Sequence, residues 1–314
     1  MSQLKVSRLF SFFQWSTFFK GIAMGAADVV PGVSGGTVAF ITGIYSDIIE
    51  ALNAISFKLL RTFKSQGLVG VWQTIRGPFL VSLGCGVALS IISLAKIITW
   101  LLEHYPPLVW SFFLGLVVAS ALVMVKQVRD WDIARLFFIL LGFLCGLAVT
   151  RLVPSTGEEN SLYVFFSGFI AICAMILPGI SGSFILLILG MYSFILEALI
   201  TIELKTIVIF SLGCLTGLLS FARVLKWLFH HYHYLTMCFL IGILWGSINK
   251  LWPWKEVLDS VVNRHGKVVP LVEKNISPGS YFEITGGEPF LIYSLLFMVV
   301  GFVFVWGMER YAHK

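Results

Sequence analysis

Charge is scarce in this sequence. Asp, Glu, Lys and Arg make up 12% of 314 residues, about half the share usual in soluble domains. With 58% hydrophobic residues and a mean hydropathy of +0.92, the chain has more apolar surface than a soluble core can bury. A cytosolic enzyme, a nucleic-acid-binding protein and a disordered chain are thereby excluded. The formal net charge of +6 does not reverse this, because excess Lys and Arg in such a chain mark cytoplasmic loops. Cysteine is also sparse. Cys85, Cys145, Cys173, Cys214 and Cys238 lie in apolar runs without CxxC spacing, so they read as small hydrophobes rather than disulfides or metal ligands. No small-residue cleavage site follows the aromatic run near the N-terminus, so no removable signal peptide is expected. No cofactor and no metal is expected.

What is present is a set of long apolar runs. Six have the length of transmembrane helices, at about 79–102, 108–126, 136–153, 206–229, 235–252 and 289–308. Two more, 18–52 and 165–199, are apolar but interrupted. Pro31-Gly32-Val33-Ser34-Gly35-Gly36 breaks the first and Pro178-Gly179-Ile180-Ser181-Gly182-Ser183 the second. Pro removes a helical hydrogen bond and Gly lowers helix propensity, so each run is expected to be two half-helices joined by a turn. If both runs are re-entrant hairpins and the N-terminus is cytoplasmic, fourteen of the 22 Lys and Arg fall on the inner side. If both cross, the clusters Lys58–Arg76 and Lys126–Arg135 become external, against the positive-inside rule. The hairpin arrangement follows, with both termini cytoplasmic and a sizeable external loop at 253–288. Within that loop, Val268–Lys274 and Ser280–Thr285 are expected to pair as a β-hairpin around Ser277-Pro278-Gly279.

The two broken runs align without gaps at an offset of 147, with sixteen of thirty-five positions identical. Farther on, Lys96 pairs with Arg223 and Ser120 with Ser247. The chain is therefore read as one polytopic membrane domain, 1–314, built by duplication, with repeats at about 10–155 and 160–314. Three crossings per half invert the second half. The expected fold is all-α integral membrane, with two inverted-topology repeats, each a re-entrant helical hairpin plus three transmembrane helices. Broken helices of inverted repeats point to a binding site at the midplane.

Helix starts carry free N–H groups and the positive end of the dipole, so the two tips suit an anion. Ser34, Gly35, Gly36 and Thr37 open one half-helix; Ser181, Gly182 and Ser183 open the other. The Gly-Lys-Ser/Thr ending of a nucleotide phosphate loop is missing. Lys96 and Arg223, repeat partners inside apolar crossings, are the candidate charged partners of the anion; snorkelling is the alternative. Asp28, whose partner is Met175, breaks the symmetry as an H⁺- or Na⁺-coupling group would, or serves as a plain N–H cap. Lys20, Glu50 and Glu197 are candidates for coupling or gating; for Glu50 and Glu197, which end their hairpins, a plain interfacial position is the alternative. His230, His231 and His233 form an interfacial polar cluster. Gly142/Gly146, Gly213/Gly217 and Gly242/Gly246 have helix-packing spacing.

Lys20-Gly21, then Met24-Gly25-Ala26-Ala27-Asp28-Val29-Val30-Pro31-Gly32-Val33-Ser34-Gly35-Gly36-Thr37 and Gly43-Ile44-Tyr45, resembles the signature of the bacterial polyprenyl-phosphate transporter family. Leu177-Pro178-Gly179-Ile180-Ser181-Gly182-Ser183 with Gly190-Met191-Tyr192 resembles its second motif. The resemblance spans nearly the whole chain. It implies transport of undecaprenyl phosphate from the outer to the inner leaflet of the bacterial cytoplasmic membrane, for reuse in peptidoglycan and other surface polymers. Membrane lipids are expected partners, with an oligomer possible and no nucleic acid; moving a phosphate monoester toward a negative cytoplasm costs enough that H⁺ or Na⁺ is the expected coupling ion. Two other readings stay open. A small-anion channel or exchanger for phosphate, sulfate or chloride would also use facing helix ends. A lipid phosphatase needs a nucleophile and a base together, and near the tips only Asp28 and Cys173 are available, so no enzyme is expected.

Overall fold

A computed structural model describes residues 13–29, 34–56, 58–152, 154, 157–262 and 268–312. The first broken run forms α1 (Trp15–Asp28), α2 (Gly35–Ile41) and α3 (Tyr45–Ala54). After α4 (Lys58–Thr74) come α5 (Gly77–His104), α6 (Pro106–Gln127) and α7 (Ile133–Arg151). The order then recurs, with α8 (Ser161–Ile176), α9 (Gly182–Ile188), α10 (Tyr192–Ile200), α11 (Leu204–His231) and α12 (His233–Ser247). A 3-10 turn, Ile248–Leu251, leads into β1 (Lys255–Val262) and β2 (Val268–Asn275), then α13 (Pro278–Thr285) and α14 (Leu291–Ala312).

The protein is an all-α membrane protein. Among the described residues five helices, α5, α6, α7, α11 and α12 with its 3-10 turn, are long and apolar enough to span a bilayer, and the bent pair α9–α10 is a broken span or re-entrant loop. The run expected at 289–308 is helical in α14, though its described apolar part, Leu291–Gly307, is shorter. Large apolar side chains face outward on many helices, such as Ile92, Ile133 and Ile292. In water that surface would aggregate; in lipid it is the solvated face.

Two expectations need correction. Each broken run holds three helices, not two half-helices. Gly43 (φ 71) and Gly190 (φ 67) stop α2 and α9 in the left-handed region. At the first stop, Gly43 N–H bonds Phe40 O and Ile44 N–H bonds Ala39 O; at the second, Gly190 N–H bonds Leu187 O and Met191 N–H bonds Leu186 O. This is the Schellman helix stop, twice. The turn after the second bends α9 from α10 by 112°. The β-hairpin also differs: β2 pairs antiparallel with β1, not with 280–285. Ser277 and Pro278 start a helix rather than a turn, since Ser277 Oγ accepts from Ser280 N–H and Pro278 takes the first helical position.

Packing pairs helices across and within the halves. α1 lies on α5 and α8 on α11, whereas α12 packs on α7 and α14 on α6. Glycines carry all four seams. A side chain on Gly146 or Gly246 would meet the Ile243 or Phe143 carbonyl; one on Gly213 or Gly217 would meet Phe165 or Phe169; one on Gly25 would meet Val87; and one on Gly301 would meet Phe112. The three glycine pairs read from spacing are therefore contact surfaces.

Candidate functional site

The hairpin tips meet. Ser34, fully buried, caps α2 by accepting from Gly36 N–H at 3.1 Å. Its hydroxyl lies 3.1 Å from Met175 O and 3.4 Å from Leu177 O, at the end of α8. In return Gly179 N–H donates to Thr37 Oγ1 at 2.9 Å. Each tip thus satisfies backbone groups that the other's break leaves open. Gly179 is in the left-handed region (φ 89), and a side chain there would press on Ser247 Oγ. Pro31 and Gly32 lie outside the described residues.

The tips differ in charge. Asp28 Oδ1 accepts from Gly35 N–H at 2.6 Å, so a carboxylate already occupies the start of α2. At the other tip Met175 stands in its place, and Ser181 Oγ bonds Ser183 Oγ at 2.8 Å. α1 also reaches the far end of α2: Lys20 Nζ donates to Thr42 O at 2.8 Å. Thr42 is the C-cap, where an orphan carbonyl and the negative end of the dipole favour a cation.

Beside Lys20 opens a cavity of about 970 Å³. Its walls are the start of α1, the α2–α3 junction and the ends of α6, α11 and α14, with His233 and Met237 of α12. This is the face on which α1 begins. Tyr45 lines the cavity and packs against Phe40 and Phe229, yet among the described residues its buried hydroxyl has no hydrogen-bond partner. Buried hydroxyls without partners are uncommon, and this one fits a site that receives a polar group.

Other candidates lie apart from the tips. Lys96 is exposed on α5. Arg223 is exposed on α11, with Nη2 3.4 Å from Ile55 O at the end of α3. Glu50 pairs with Arg76 at 2.8 Å in an exposed network that includes Asp47. Glu197 is half-buried on α10. Among the described residues no group of three or more His, Cys, Asp or Glu could hold a metal ion.

A second cavity, of about 360 Å³, lies on the opposite face beneath β2. Lys250, Lys255 and Glu273 meet there, with Nζ–Oε2 distances of 2.7 Å and 3.4 Å. Lys255 Nζ also lies 3.5 Å from the Trp110 ring centroid, and Lys250 Nζ 4.7 Å from that of Phe184. Burial pushes the Lys255 ammonium down to about 8, with Glu273 working against the shift. Burial would raise Glu273, but Lys255 and Lys250 outweigh it and hold the carboxyl below its usual range. Sequence reading passed over this trio as loop charges. Two lysines flanking Trp252-Pro253-Trp254 were the available signal.

A sequence profile described as undecaprenyl phosphate translocase-like matches residues 24–269. The chain is 46% identical over 299 residues to a Vibrio cholerae protein named polyprenyl-phosphate transporter, covering 95% of this chain and 97% of that one. It is 29% identical over 260 residues to a Staphylococcus aureus protein of the same name, covering 77% and 87%. No solved structure matches.

Proposed function

The chain belongs to the undecaprenyl phosphate translocase-like family, and on that premise we propose that it carries undecaprenyl phosphate across the bacterial cytoplasmic membrane, from outer to inner leaflet. The observation that supports this reading most is the pair of interlocked tips between two cavities, one at each face. The helices that start at the tips run to the cavities: Phe40 and Ile41 of α2 line one, and Phe184 of α9 lines the other. The two halves are inverted repeats, and both termini are cytoplasmic by the positive-inside rule. The 970 Å³ cavity then opens to the cytoplasm, and the described state faces inward.

The phosphate head group binds at the tips, through the hydroxyls and N–H groups of Ser34–Thr37 and Ser181–Ser183, while the isoprenoid tail stays in lipid. Asp28 on Gly35 N–H holds the place of a phosphate oxygen. The head group displaces it, and the carboxylate takes a proton or Na⁺ as it leaves. This exchange couples transport to an ion. Coupling is needed, since a phosphate monoester carries about −1.5 to −2 charges and moving it toward a negative cytoplasm costs ~2.3 kcal/mol per charge per 100 mV. Lys20 gates the inner cavity by holding or releasing Thr42 O. No bond in the substrate is made or broken.

Proteoliposomes test the proposal. A labelled short-chain polyprenyl phosphate should cross at least tenfold faster with protein than without. Ser34→Ala/Ser181→Ala should remove most of that gain, and Asp28→Asn should make the flux indifferent to pH and Na⁺ gradients. Flux of chloride, sulfate or inorganic phosphate with none of the lipid would replace this reading with the small-anion channel or exchanger.

A further inference from the structure

The cavity beneath β2 holds an unbalanced charge. Among the described residues Arg151, Lys250, Lys255 and Lys274 line it against one carboxylate, that of Glu273. The excess is partly buried: the side chains of Lys255 and Lys250 are only 6% and 16% exposed. A buried ammonium is costly unless paired, and one carboxylate cannot fully pair two. An anchor that merely fastened the β-hairpin to the helices would need one lysine. The second lysine adds cost without adding a partner.

The geometry keeps these cations available. Aromatic faces, not further carboxylates, support them: Trp110 under Lys255 and Phe184 under Lys250. A ring face attracts the ammonium without occupying its N–H donors one by one. Thr150, Asn249 and Asn275 add neutral hydrogen-bonding groups to the same wall. Phe184 follows Ser183 directly, so the cavity floor touches the helix that begins at the second tip.

We propose that this cavity is a docking site for a phosphate monoester, which Lys250 and Lys255 grip while Glu273 acts as the resident anion that the ligand displaces. On the transport reading above, on which this assignment of the ligand rests, the monoester is the lipid head group arriving from the outer leaflet. The site passes it along α9 to Ser183 and Ser181. A dianion matches the two lysines in charge. The resident carboxylate keeps the site neutral enough to fold when it is empty.

The test is binding to the full chain in nanodiscs, with geranyl phosphate, geraniol and inorganic phosphate as probes. Geranyl phosphate should bind and geraniol should not. Lys250→Gln/Lys255→Gln should weaken binding about 100-fold. Glu273→Gln should strengthen it severalfold, because it frees both ammonium groups; a purely structural trio predicts no gain. That gain is the readout even where the double lysine variant folds poorly. Unchanged binding in the double variant, or weaker binding in Glu273→Gln, overturns the site. Inorganic phosphate binding as tightly as geranyl phosphate overturns the lipid as its ligand. Ser34→Ala/Ser181→Ala separates the two proposals. If it leaves both binding and flux intact, the tip reading fails while the docking site stands. If flux falls with the tips and binding ignores the lysines, the docking site fails alone.

Discussion

The two hairpins share a backbone plan and differ in who holds it. Both short helices stop at a Schellman glycine, leaving equivalent C-cap carbonyls at Thr42 and Leu189. Thr42 O takes the Lys20 ammonium, and a 970 Å³ cavity opens beside it. Leu189 O takes the Tyr163 hydroxyl at 2.9 Å, and Gly157 lies close against the same carbonyl. At the other ends, Asp28 Oδ1 accepts from the start of α2, whereas at the start of α9 the Ser181 and Ser183 hydroxyls bond each other. α1 therefore grips α2 with an acid at its positive end and a base at its negative end. α8 reaches the end of α9 through the neutral Tyr163–Leu189 bond. The backbone plan is common to both hairpins, and on the transport reading proposed above the unequal side chains are what would set which face is open.

The sharpest break in that comparison is at Gly179. Its φ of 89 and the Ser247 hydroxyl beside it leave no room for a side chain. Gly179→Ala should cost about 3 kcal/mol from the left-handed backbone and overpacking together, and it should unlock the tips by disturbing the bond to Thr37. A large fall in melting temperature in detergent, with loss of flux, is expected. Asp28→Asn comes next. It weakens a charge-assisted bond to a helix start, worth roughly 2 kcal/mol, and leaves α2 as neutrally held as α9. Melting should drop less than for Gly179→Ala, while the response to ion gradients disappears. If gradients still act, the asymmetry of the tips is not the coupling device.

The faces differ in pH response as well. Lys255 titrates near 8 in the fold against 10.5 for a free lysine. Its folded value is depressed, so the unfolded chain holds the proton more tightly between those limits. Stability contributed by this group is present above 10.5 and is lost as pH falls through 8. Anion binding runs the other way. It should fall about tenfold as pH rises through 8, because one ammonium is lost, and it should also fall below about 6, where a phosphate monoester drops to one charge. Geranyl phosphate titrations from pH 5 to 10 check this; a flat profile above pH 7 would remove Lys255 from the site.

Much of this architecture is legible in the chain, and the reasons are local. A span announces itself by length and apolarity, as in α6 and α11, and a break by Pro-Gly. Asp28 lies seven residues from Gly35, near enough to be read as a cap. The interlock of Ser34 with Met175 and Leu177 spans 141 and 143 residues and exists only once the halves dock. α4 is too polar to register as a span and is kinked at Gly67. Gly43 and Gly190 were visible, but a single glycine in an apolar run does not announce a left-handed stop. Glu273 reaches Lys250 only through the β1–β2 pairing. Reading Ser277-Pro278 as a turn rather than a helix start misplaced that pairing.

The smallest effect isolates the hinges themselves. Tyr163→Phe removes one neutral hydrogen bond at Leu189 O and should cost about 1 kcal/mol. Lys20→Met removes the equivalent bond at Thr42 O, and with it a cation at a helix C-terminus, a further ~0.5 kcal/mol. By stability alone the two variants should be near equals. By function they should diverge, because Lys20 lines the open cavity and Tyr163 does not. On the transport reading, Lys20→Met should slow release of the anionic substrate from the open cavity, while Tyr163→Phe should loosen the opposite face and raise the fraction of protein open on that side. Cysteine accessibility from each side of the membrane, with a reporter at Ser46 for the open face and at Ser193 for its repeat partner, reads both shifts. Equal labelling of the two reporters in wild type would mean that the unequal grips on α2 and α9 do not set which face is open.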